Sequence, residues 1–520
     1  MTISDMLAKN AELYPDDIAL VELKPSSNFR KEITWREFDS KANRIANALF
    51  DAGIRKGDKV IHLMMNSIDW LEVYFGIIRT GAWAVPLNYR FDSKDILYCT
   101  EIAEAKAFIF GEEFTERVEV IKPKLTTVRN FIFTGERAPE WAQNIEEFIA
   151  GASEEPLNIR LRGEDPCGLY FTSGTTGQPK PILLTHKNME YAAIVESKHH
   201  GQTRNDNFIL LPPLYHTGAK MHWFGSLYTG GKATLLREIN PSCIFETVHN
   251  ERGTIVWLLV PWAQDILVAL DKGELKKEDF NLGQWRLMHI GAQPVPESLI
   301  KHWKIYFPDM QYDTNYGLSE STGPGCVHLG VENIHKIGAI GKPGYGWQAR
   351  IVDENGNDVP VDTVGELIVK GDGLMKEYYK NSQKTAEVLK DGWLYTGDMA
   401  KMDADGFIWY VDRKKDLIIT GGENIFPIEV EEVILRHPKV YDVALIGVPD
   451  ERLGEIAAAV IDPKPGMEIT REEMENFCIE NLPKYKRPRL IIFDKVPRNP
   501  TGKIEKVKLR EKYGSLKPVH

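Results

Sequence analysis

The segment from Phe171 to Lys180 reads Phe-Thr-Ser-Gly-Thr-Thr-Gly-Gln-Pro-Lys and contains almost no apolar side chains. Its glycines allow backbone N–H groups to turn toward an anion, the hydroxyls add donors, and Lys180 adds a positive charge. Short apolar stretches at residues 168–171 and 182–184 flank it, so we expect a loop at the tip of a β-hairpin. The glycine and lysine spacing differs from that of a Walker loop. The segment predicts a phosphate-binding hairpin, with a plain surface hairpin as the alternative.

Length and composition indicate a globular protein of several domains. The 520 residues suggest roughly two to four folding units. The five cysteines are scattered without a CxxC pair, which favours a reducing compartment and argues against a structural metal or a disulfide framework. The N-terminus lacks the pattern of a signal peptide, and no run of about 18 apolar residues occurs. We therefore expect a cytoplasmic protein without a transmembrane segment.

The charge is unevenly distributed along the chain. A net charge of −11 disfavours a nucleic-acid partner. The segment from Lys484 to Lys517, however, contains 12 basic residues and only three acidic ones. Such a basic end suits a polyanionic small molecule, and a solvated lysine-rich tail is the alternative.

The pattern of strand-like and helix-like segments changes twice along the chain. Up to about residue 400, apolar strand-like runs alternate with helix-like segments, which predicts layered α/β structure with largely parallel sheets. Residues 338–410 contain short strands and turns, typical of a small β-rich subdomain. Beyond Lys415 the pattern predicts a compact α+β unit: Pro427 can begin one helix, and Thr470 with Glu473 can cap another. The charged run at residues 412–416 is expected to be an exposed hinge.

Six further motifs follow the first one in a fixed order. They are Pro213-Leu-Tyr-His216, Gly291-Ala-Gln-Pro294, Tyr316-Gly-Leu-Ser-Glu320, Tyr395-Thr-Gly-Asp398, Asp412-Arg-Lys-Lys-Asp416 with Gly421-Gly-Glu-Asn424, and Asn499-Pro-Thr-Gly-Lys503. This order resembles the adenylate-forming superfamily, in particular its AMP-forming acyl- and aryl-CoA ligases. The resemblance implies a large N-terminal domain of layered α/β subdomains with a small β-rich subdomain, residues 1–414. It also implies a small mobile α+β C-terminal lid, residues 415–520, with its hinge at Lys415.

The resemblance also implies three small-molecule partners, which are ATP with Mg²⁺, coenzyme A and a carboxylate. It further implies which residues have catalytic and binding roles. Catalytic roles fall to Lys503, which would bridge the α-phosphate and the carboxylate, to Thr175, to His216 as a gate, and to Glu320 as the Mg²⁺ ligand. Nucleotide contacts fall to Thr172, Ser173, Gly174, Thr175, Thr176, Gly177, Lys180, Gly291, Ala292, Gln293, Asn315, Tyr316, Gly317, Ser319, Asp398 and Arg413. Each role has a plain structural alternative. His216 could be an ordinary core histidine, Glu320 a surface carboxylate, and Asp398 with Arg413 a surface ion pair.

Coenzyme A would contact Gly421, Gly422, Tyr485, Lys486 and Arg487, where an aromatic ring and cations suit an adenine and its phosphates. The acyl group would contact His216, Met221, Trp223 and Trp262, an apolar lining without a fixed charge. Pro181 departs from the family, which has glycine after the lysine; a proline fixes φ and removes an N–H.

These observations predict an AMP-forming carboxylate:CoA ligase acting through an acyl-AMP, on a short- or medium-chain, alicyclic or aromatic acid. The alternatives are a luciferase-like oxygenase and a carnitine/crotonobetaine-type CoA ligase. A non-catalytic nucleotide-binding protein is disfavoured because Lys503 and Glu320 are both present. We expect a monomer or a homodimer.

Overall fold

A computed structural model describes residues 1–172, 179–291, 295–421, 423–498, 504–514 and 516. The helices are α1 Ile3–Leu13, α2 Trp35–Asp51, α3 Ile68–Arg79, α4 Ser93–Ala103, α5 Thr115–Ile121, α6 Ile145–Phe148, α7 His186–His199, α8 Thr217–Thr229, α9 Pro241–Glu251, α10 Val260–Asp271, α11 Glu297–Tyr306, α12 Ser382–Val388, α13 Pro427–Leu435, α14 Arg471–Asn481 and α15 Lys506–Tyr513.

The strands are β1 Ile18–Lys24, β2 Phe29–Thr34, β3 Lys59–Leu63, β4 Trp83–Pro86, β5 Ala107–Gly111, β6 Asn130–Thr134, β7 Gln143–Asn144, β8 Pro166–Thr172, β9 Lys180–Thr185, β10 Asn207–Leu210, β11 Lys232–Leu236, β12 Ile255–Leu259, β13 Leu287–Gly291, β14 Gln311–Asp313, β15 Asn315–Leu318, β16 Gly323–His328, β17 Lys342–Pro343, β18 Gln348–Val352, β19 Gly365–Lys370, β20 Glu377–Tyr378, β21 Leu389–Lys390, β22 Trp393–Met402, β23 Ile408–Arg413, β24 Ile418–Thr420, β25 Glu423–Ile425, β26 Val440–Asp450, β27 Gly454–Pro463 and β28 Leu490–Phe493.

Two large sheets form the N-terminal part of the chain. One has eight strands in the order β20-β9-β8-β4-β3-β5-β6-β7, and the other has seven in the order β14-β13-β12-β10-β11-β1-β2. Strands β10 to β14 pair in parallel, and helices α9, α10 and α11 supply crossovers between them. A continuous hydrophobic core joins α2, α3 and α8 to both sheets. The predicted layered α/β architecture with largely parallel sheets is confirmed.

Smaller sheets follow in the chain. Strands β15 to β17 form one, and β18, β19, β22, β21 and β23 form an antiparallel sheet, which confirms the β-rich texture predicted for residues 338–410. The last sheet, β25-β24-β27-β26 with β28 on β27, packs against α13 and α14 around a separate core. The predicted α+β unit is therefore present.

Local sequence signals begin the helices of this C-terminal unit. Pro427 occupies the first turn of α13, where a missing N–H has no cost. The hydroxyl of Thr470 accepts a hydrogen bond from the backbone N–H of Glu473 and caps α14. The Glu473 carboxylate does not complete the predicted reciprocal capping box, because it pairs with Lys439 at 2.9 Å.

Two properties of the described residues bear on the environment of the protein. No helix among them is both long enough and apolar enough to span a lipid bilayer. All five cysteines are buried and free. Burial keeps these thiols from reacting with one another or with solutes.

Glu72 in α3 is a buried carboxyl whose burial raises its pKa to about 7, and only 4% of the residue is exposed. Because folding raises this pKa, the folded protein keeps Glu72 neutral. The free energy of unfolding is therefore unaffected by Glu72 below about pH 4.5 and falls as the pH rises through 7. We expect Glu72→Gln to be more stable than the natural chain at pH 8 by about 2–3 kcal/mol and to lose that advantage at pH 5. Urea unfolding at both pH values measures this, with the exposed Glu140→Gln as control. A stability difference independent of pH would contradict the assignment.

Candidate functional site

The two strands of the predicted hairpin are present. Strands β8 and β9 pair antiparallel, with Thr172 opposite Lys180 and Phe171 opposite Pro181. Pro181 remains within the strand, and its carbonyl accepts a hydrogen bond of 2.9 Å from the N–H of Tyr379. The connecting Ser173, Gly174, Thr175, Thr176 and Gly177 lie outside the described residues. The strands therefore bring Thr172 and Lys180 together at the base of the loop, and the phosphate contacts of the loop stay a prediction.

Glu320 lies beside this hairpin. It belongs to a 3₁₀ turn at Ser319–Ser321, and its Oε1 accepts a hydrogen bond of 2.7 Å from the Tyr378 hydroxyl. Tyr378 is in β20, which pairs with β9 of the hairpin. The Glu320 carboxylate is only partly buried, and carboxylate oxygens are the ligands that Mg²⁺ prefers. The fold therefore places a suitable Mg²⁺ ligand next to the predicted phosphate site.

Asp398 is almost completely buried and is paired with a cation. Cross-strand pairing places it opposite Arg413, whose Nε lies 3.1 Å from its Oδ1. The charge of Asp398 raises the pKa of the Arg413 guanidinium. The Tyr316 hydroxyl also donates a hydrogen bond to the Asp398 carboxylate. The sequence motifs around Tyr316, Asp398 and Arg413, far apart in the chain, thus form one site with a fixed carboxylate acceptor.

The motif at the end of β13 lies near Asn315. A Cβ atom placed on Gly291 would be 3.9 Å from Asn315 Oδ1, so the end of the strand faces the Asn315 side chain. Gly317 is partly exposed in β15. Ala292 and Gln293 lie outside the described residues. The approach of an adenine to this strand end remains a prediction.

Residues predicted to bind coenzyme A lie in the C-terminal unit. Gly421 forms the turn between β24 and β25 with φ of +58°, and its N–H donates to the carbonyl of Leu453 at 2.8 Å. A residue with a side chain would be strained in this backbone conformation. Gly422 and Lys503 lie outside the described residues.

The second predicted coenzyme A segment is a 3₁₀ turn after α14. Tyr485 is 44% exposed and open to a ligand, and Lys486 pairs with Glu429. Arg487 donates hydrogen bonds of 2.8 Å and 3.0 Å to the carbonyls of Leu482 and Ile479. The Arg487 guanidinium therefore closes the C-terminal end of α14, a structural role that the sequence did not indicate.

The predicted hinge residue Lys415 lies in a 3₁₀ turn between β23 and β24 and is exposed. Polar contacts connect the two sides of this turn. The N–H of Ile428 donates to Asp412 Oδ2 at 2.9 Å, and Arg510 pairs with Asp416 at 2.7 Å. Burial raises the pKa of Asp412 to about 6.

Helix α8 begins at the predicted gate residue. The imidazole of His216 accepts a hydrogen bond of 3.3 Å from the N–H of Gly218 and so caps the helix. A Cβ atom on Gly218 would lie 3.3 Å from His216 Nδ1 and 3.4 Å from the ring of Trp257. A side chain at position 218 would therefore press on the His216 ring and contact Trp257, so the space beside Gly218 is limited.

The predicted acyl lining needs a correction. Met221 and Trp223 are completely buried in the hydrophobic core, where Trp223 packs against Phe38 and Phe75. Their side chains therefore belong to the core packing around α8. Trp262 is partly buried against the second core and remains a candidate.

Helix α8 also contacts polar residues that sequence reasoning missed. Six buried side chains form a closed ring of polar contacts, which we call the histidine–carboxylate ring: Glu196, His222, His289, His200, Asp313 and His328. Successive distances around it are 3.4, 2.7, 3.1, 3.2, 3.2 and 3.4 Å. Asn315 donates to Glu196 at 3.1 Å, so the ring adjoins the candidate site.

The two acidic residues of the ring come from elements other than α8, Glu196 from α7 and Asp313 from β14. Burial opposes ionisation of both carboxyls, but the neighbouring histidines hold their pKa values below the ordinary range. One feature of the sequence could have predicted the ring. His289 lies inside the apolar strand Leu-Met-His-Ile, and burying a histidine costs free energy unless it has a polar partner.

Comparisons with known proteins agree with this geometry. The family model of AMP-binding enzymes matches residues 7–379, and that of the AMP-binding enzyme C-terminal domain matches residues 429–503. A long-chain-fatty-acid–CoA ligase, FadD13 of Mycobacterium tuberculosis, is 31% identical over 517 residues, covering 99% of each chain. A feruloyl-CoA synthase of Amycolatopsis sp is 32% identical over 486 residues, covering 93% of this chain and 94% of its own.

A solved structure has the same architecture. The crystal structure of the anthranilate CoA ligase AuaEII in complex with anthranoyl-AMP superposes with a TM-score of 0.89 at 27% identity. The superposition covers 98% of this chain and 97% of that one.

Proposed function

The chain belongs to the family of AMP-binding enzymes, and from this premise we infer that its site joins a compact carboxylic acid to coenzyme A. It is an AMP-forming acyl-CoA ligase that uses ATP, Mg²⁺ and coenzyme A. In the first step a carboxylate oxygen bonds to the α-phosphorus of ATP and pyrophosphate leaves. In the second step the thiol sulfur of coenzyme A bonds to the acyl carbon, loses its proton, and AMP leaves. The oxygenase alternative is not favoured by the relatives.

The convergence of three distant motifs carries the proposal. The base of the phosphate hairpin, Glu320 beside it, and the buried Asp398–Arg413 pair have the chemistry needed for phosphates, Mg²⁺ and a ribose. The bound Mg²⁺ would neutralise phosphate charge so that a second anion can approach. The main task of the chain's own groups is alignment and charge compensation. We assign Lys180 and Thr172 to the phosphates and Asp398 to the ribose hydroxyls.

We propose that residues 415–520 move as a lid about Lys415. Contacts across the turn such as Ile428 N–Asp412 Oδ2 would break during a rotation, at about 1 kcal/mol for a single hydrogen bond. In one pose Lys503 would reach the α-phosphate and the carboxylate. In the other, Gly421 and Gly422 would border the thiol channel, with Tyr485, Lys486 and Arg487 toward the coenzyme A nucleotide.

We propose a compact acid, either a short or medium acyl chain or a single alicyclic or aromatic ring. The narrow space beside Gly218, between His216 and Trp257, supports a small group rather than a long chain. Packing an acyl ring against tryptophan contributes on the order of 2 kcal/mol. This argument rests on Trp257, with Trp262 nearby in sequence, and no longer on Trp223.

We further propose that the enzyme works in the cytoplasm as a monomer or a homodimer. The five free, buried cysteines support a reducing compartment.

Asp398→Asn should raise KM for ATP by about 10- to 100-fold, because an uncharged amide accepts the ribose hydroxyls less strongly. Initial rates of pyrophosphate release at varied ATP concentration measure the effect. Asp405→Asn, an exposed aspartate paired with Lys336, is the matched control and should leave KM unchanged. An unaltered KM in Asp398→Asn would remove this residue from the nucleotide site.

Lys503→Ala should lower the rate of acyl-AMP formation by about 10²- to 10³-fold and spare thioester formation from supplied acyl-AMP. The reason is that the lysine serves only one lid pose. Gly422→Leu should do the converse, since a side chain would block the thiol channel. Lys508→Ala, an exposed lysine, is the control. Equal losses in both half-reactions for either variant would refute the two-pose lid.

A panel of acids tests the substrate class. We expect kcat/KM to be highest for a compact neutral-tailed acid among benzoate, cyclohexanecarboxylate, hexanoate, palmitate and crotonobetaine. Palmitate has too long a chain for the space beside Gly218, and crotonobetaine adds a cation that has to be desolvated. A preference for palmitate or crotonobetaine over every compact acid would refute the compact neutral acid and leave the ligase assignment intact.

A further inference from the structure

We propose that His200, His289 and Asp313 bind a first-row divalent transition-metal ion, Zn²⁺ by preference, within the histidine–carboxylate ring. His200 Nε2 lies 3.1 Å from His289 Nδ1 and 3.2 Å from Asp313 Oδ2, and the last two atoms are 3.7 Å apart. Metal–ligand bonds of roughly 2.0 Å in a tetrahedral site place ligand atoms about 3.3 Å from one another. The three atoms therefore already stand at the spacing of three tetrahedral ligands.

The fold fixes two of these ligands through main-chain pairing. His289 in β13 and Asp313 in β14 are direct partners in the parallel register, so their side chains emerge on the same side of the sheet. His200 follows the C-terminal end of α7, and its Nε2 lies close to both side chains. All three are buried. Ligands on paired strands are held in position before any ion binds, which lowers the entropic cost of binding.

Hydrogen bonds determine the tautomer of His289. The carbonyl oxygen of Gly218 can only accept, and His222 Nδ1 lies 2.6 Å from it, so His222 Nδ1 carries a proton. In the neutral ring His222 Nε2 is then an acceptor, and it receives the N–H of His289 Nε2 at 2.7 Å. His289 Nδ1 is left with a lone pair that points at His200 and Asp313. An imidazole that donates from one nitrogen and offers the other is the usual arrangement of a metal ligand.

The imidazole of His328 contacts both carboxylates of the ring, at 3.4 Å and 3.2 Å, and a metal ion would add to the compensation of their charge. Glu196 and Asp313 are two carboxylates with no solvent exposure, and their nearest polar neighbours are imidazoles. A divalent ion would compensate both charges at once. Glu196 Oε2 receives no hydrogen bond from the described residues and lies 3.5 Å from His200 Nε2. It is the nearest group for a fourth ligand position.

The ion would position a residue of the candidate site. Asn315 Nδ2 contacts both Glu196 and His222, at 3.1 Å and 3.2 Å, and Asn315 is only partly buried. Binding at the ring would fix the side chain that faces the end of β13. Nitrogen and carboxylate ligands in a closed site suit Zn²⁺, Co²⁺ or Ni²⁺ better than Mg²⁺. This site is separate from Glu320.

The test uses the full-length enzyme, purified without a metal-affinity step and desalted into metal-free buffer. Elemental analysis by inductively coupled plasma mass spectrometry should find about one equivalent of Zn²⁺ per chain. His289→Gln and Asp313→Asn should lower that content at least about tenfold. His302→Gln, which alters an exposed histidine paired with Asp271, is the matched control and should retain the metal. Adding Co²⁺ to the chelator-treated natural chain should give the intense visible bands of tetrahedral cobalt.

The natural chain alone decides the matter if the ring variants fail to fold. A metal content limited to Mg²⁺, together with the absence of a tetrahedral Co²⁺ spectrum, would overturn the proposal and leave the ring as a network of shared protons. Equal Zn²⁺ content in the natural chain and in folded Asp313→Asn would also overturn it. Neither result would affect the ligase assignment, which is measured by pyrophosphate release.

Discussion

The candidate site depends on the pairing of the almost completely buried Asp398 carboxylate with the Arg413 guanidinium. A lone buried carboxylate would take up a proton, because its desolvation costs several kcal/mol. Arg413 supplies the opposite charge at 3.1 Å, and Tyr316 supplies a hydroxyl donor. The hydroxyl of Thr396 accepts from the N–H of Asp398 at 3.1 Å and fixes the turn. The carboxylate therefore presents a strong, pre-oriented acceptor to a ligand hydroxyl.

The other residues assigned to the proposed site are also held by the sheets. Each lies at a strand end or in a tight turn: Thr172 and Lys180 at the mouth of a hairpin, Glu320 in a 3₁₀ turn, and Gly291 at the end of β13. Backbone at a strand end is no longer committed to the sheet, so its groups can turn toward a ligand while the sheet holds them. The sheets thus hold the residues of the proposed site in fixed positions.

Helix α8 shows how one element can serve two environments. It carries Met221 and Trp223 into the hydrophobic core and His222 into the histidine–carboxylate ring. Its first turn, beginning after His216, meets the candidate site through the contact of Thr217 with Ser319 at 3.2 Å. A shift of this helix would therefore disturb core packing, the buried ring and the site together. Close packing around α8 therefore helps to keep the side chains of the site in position.

The sequence alone determined the family-specific motifs, the hairpin around residues 171–180, the layered α/β order and the helix starts at Pro427 and Thr470. These depend on local spacing, turn chemistry and propensity, which act over a few residues. Tertiary structure decided which side chains meet. Trp223 faces the core, Arg487 closes a helix, Glu196 reaches His222 from α7, and Asp313 reaches His200 from β14. Such outcomes depend on strand register and helix rotation, which follow from the packing of the whole chain rather than from the neighbours of any one residue.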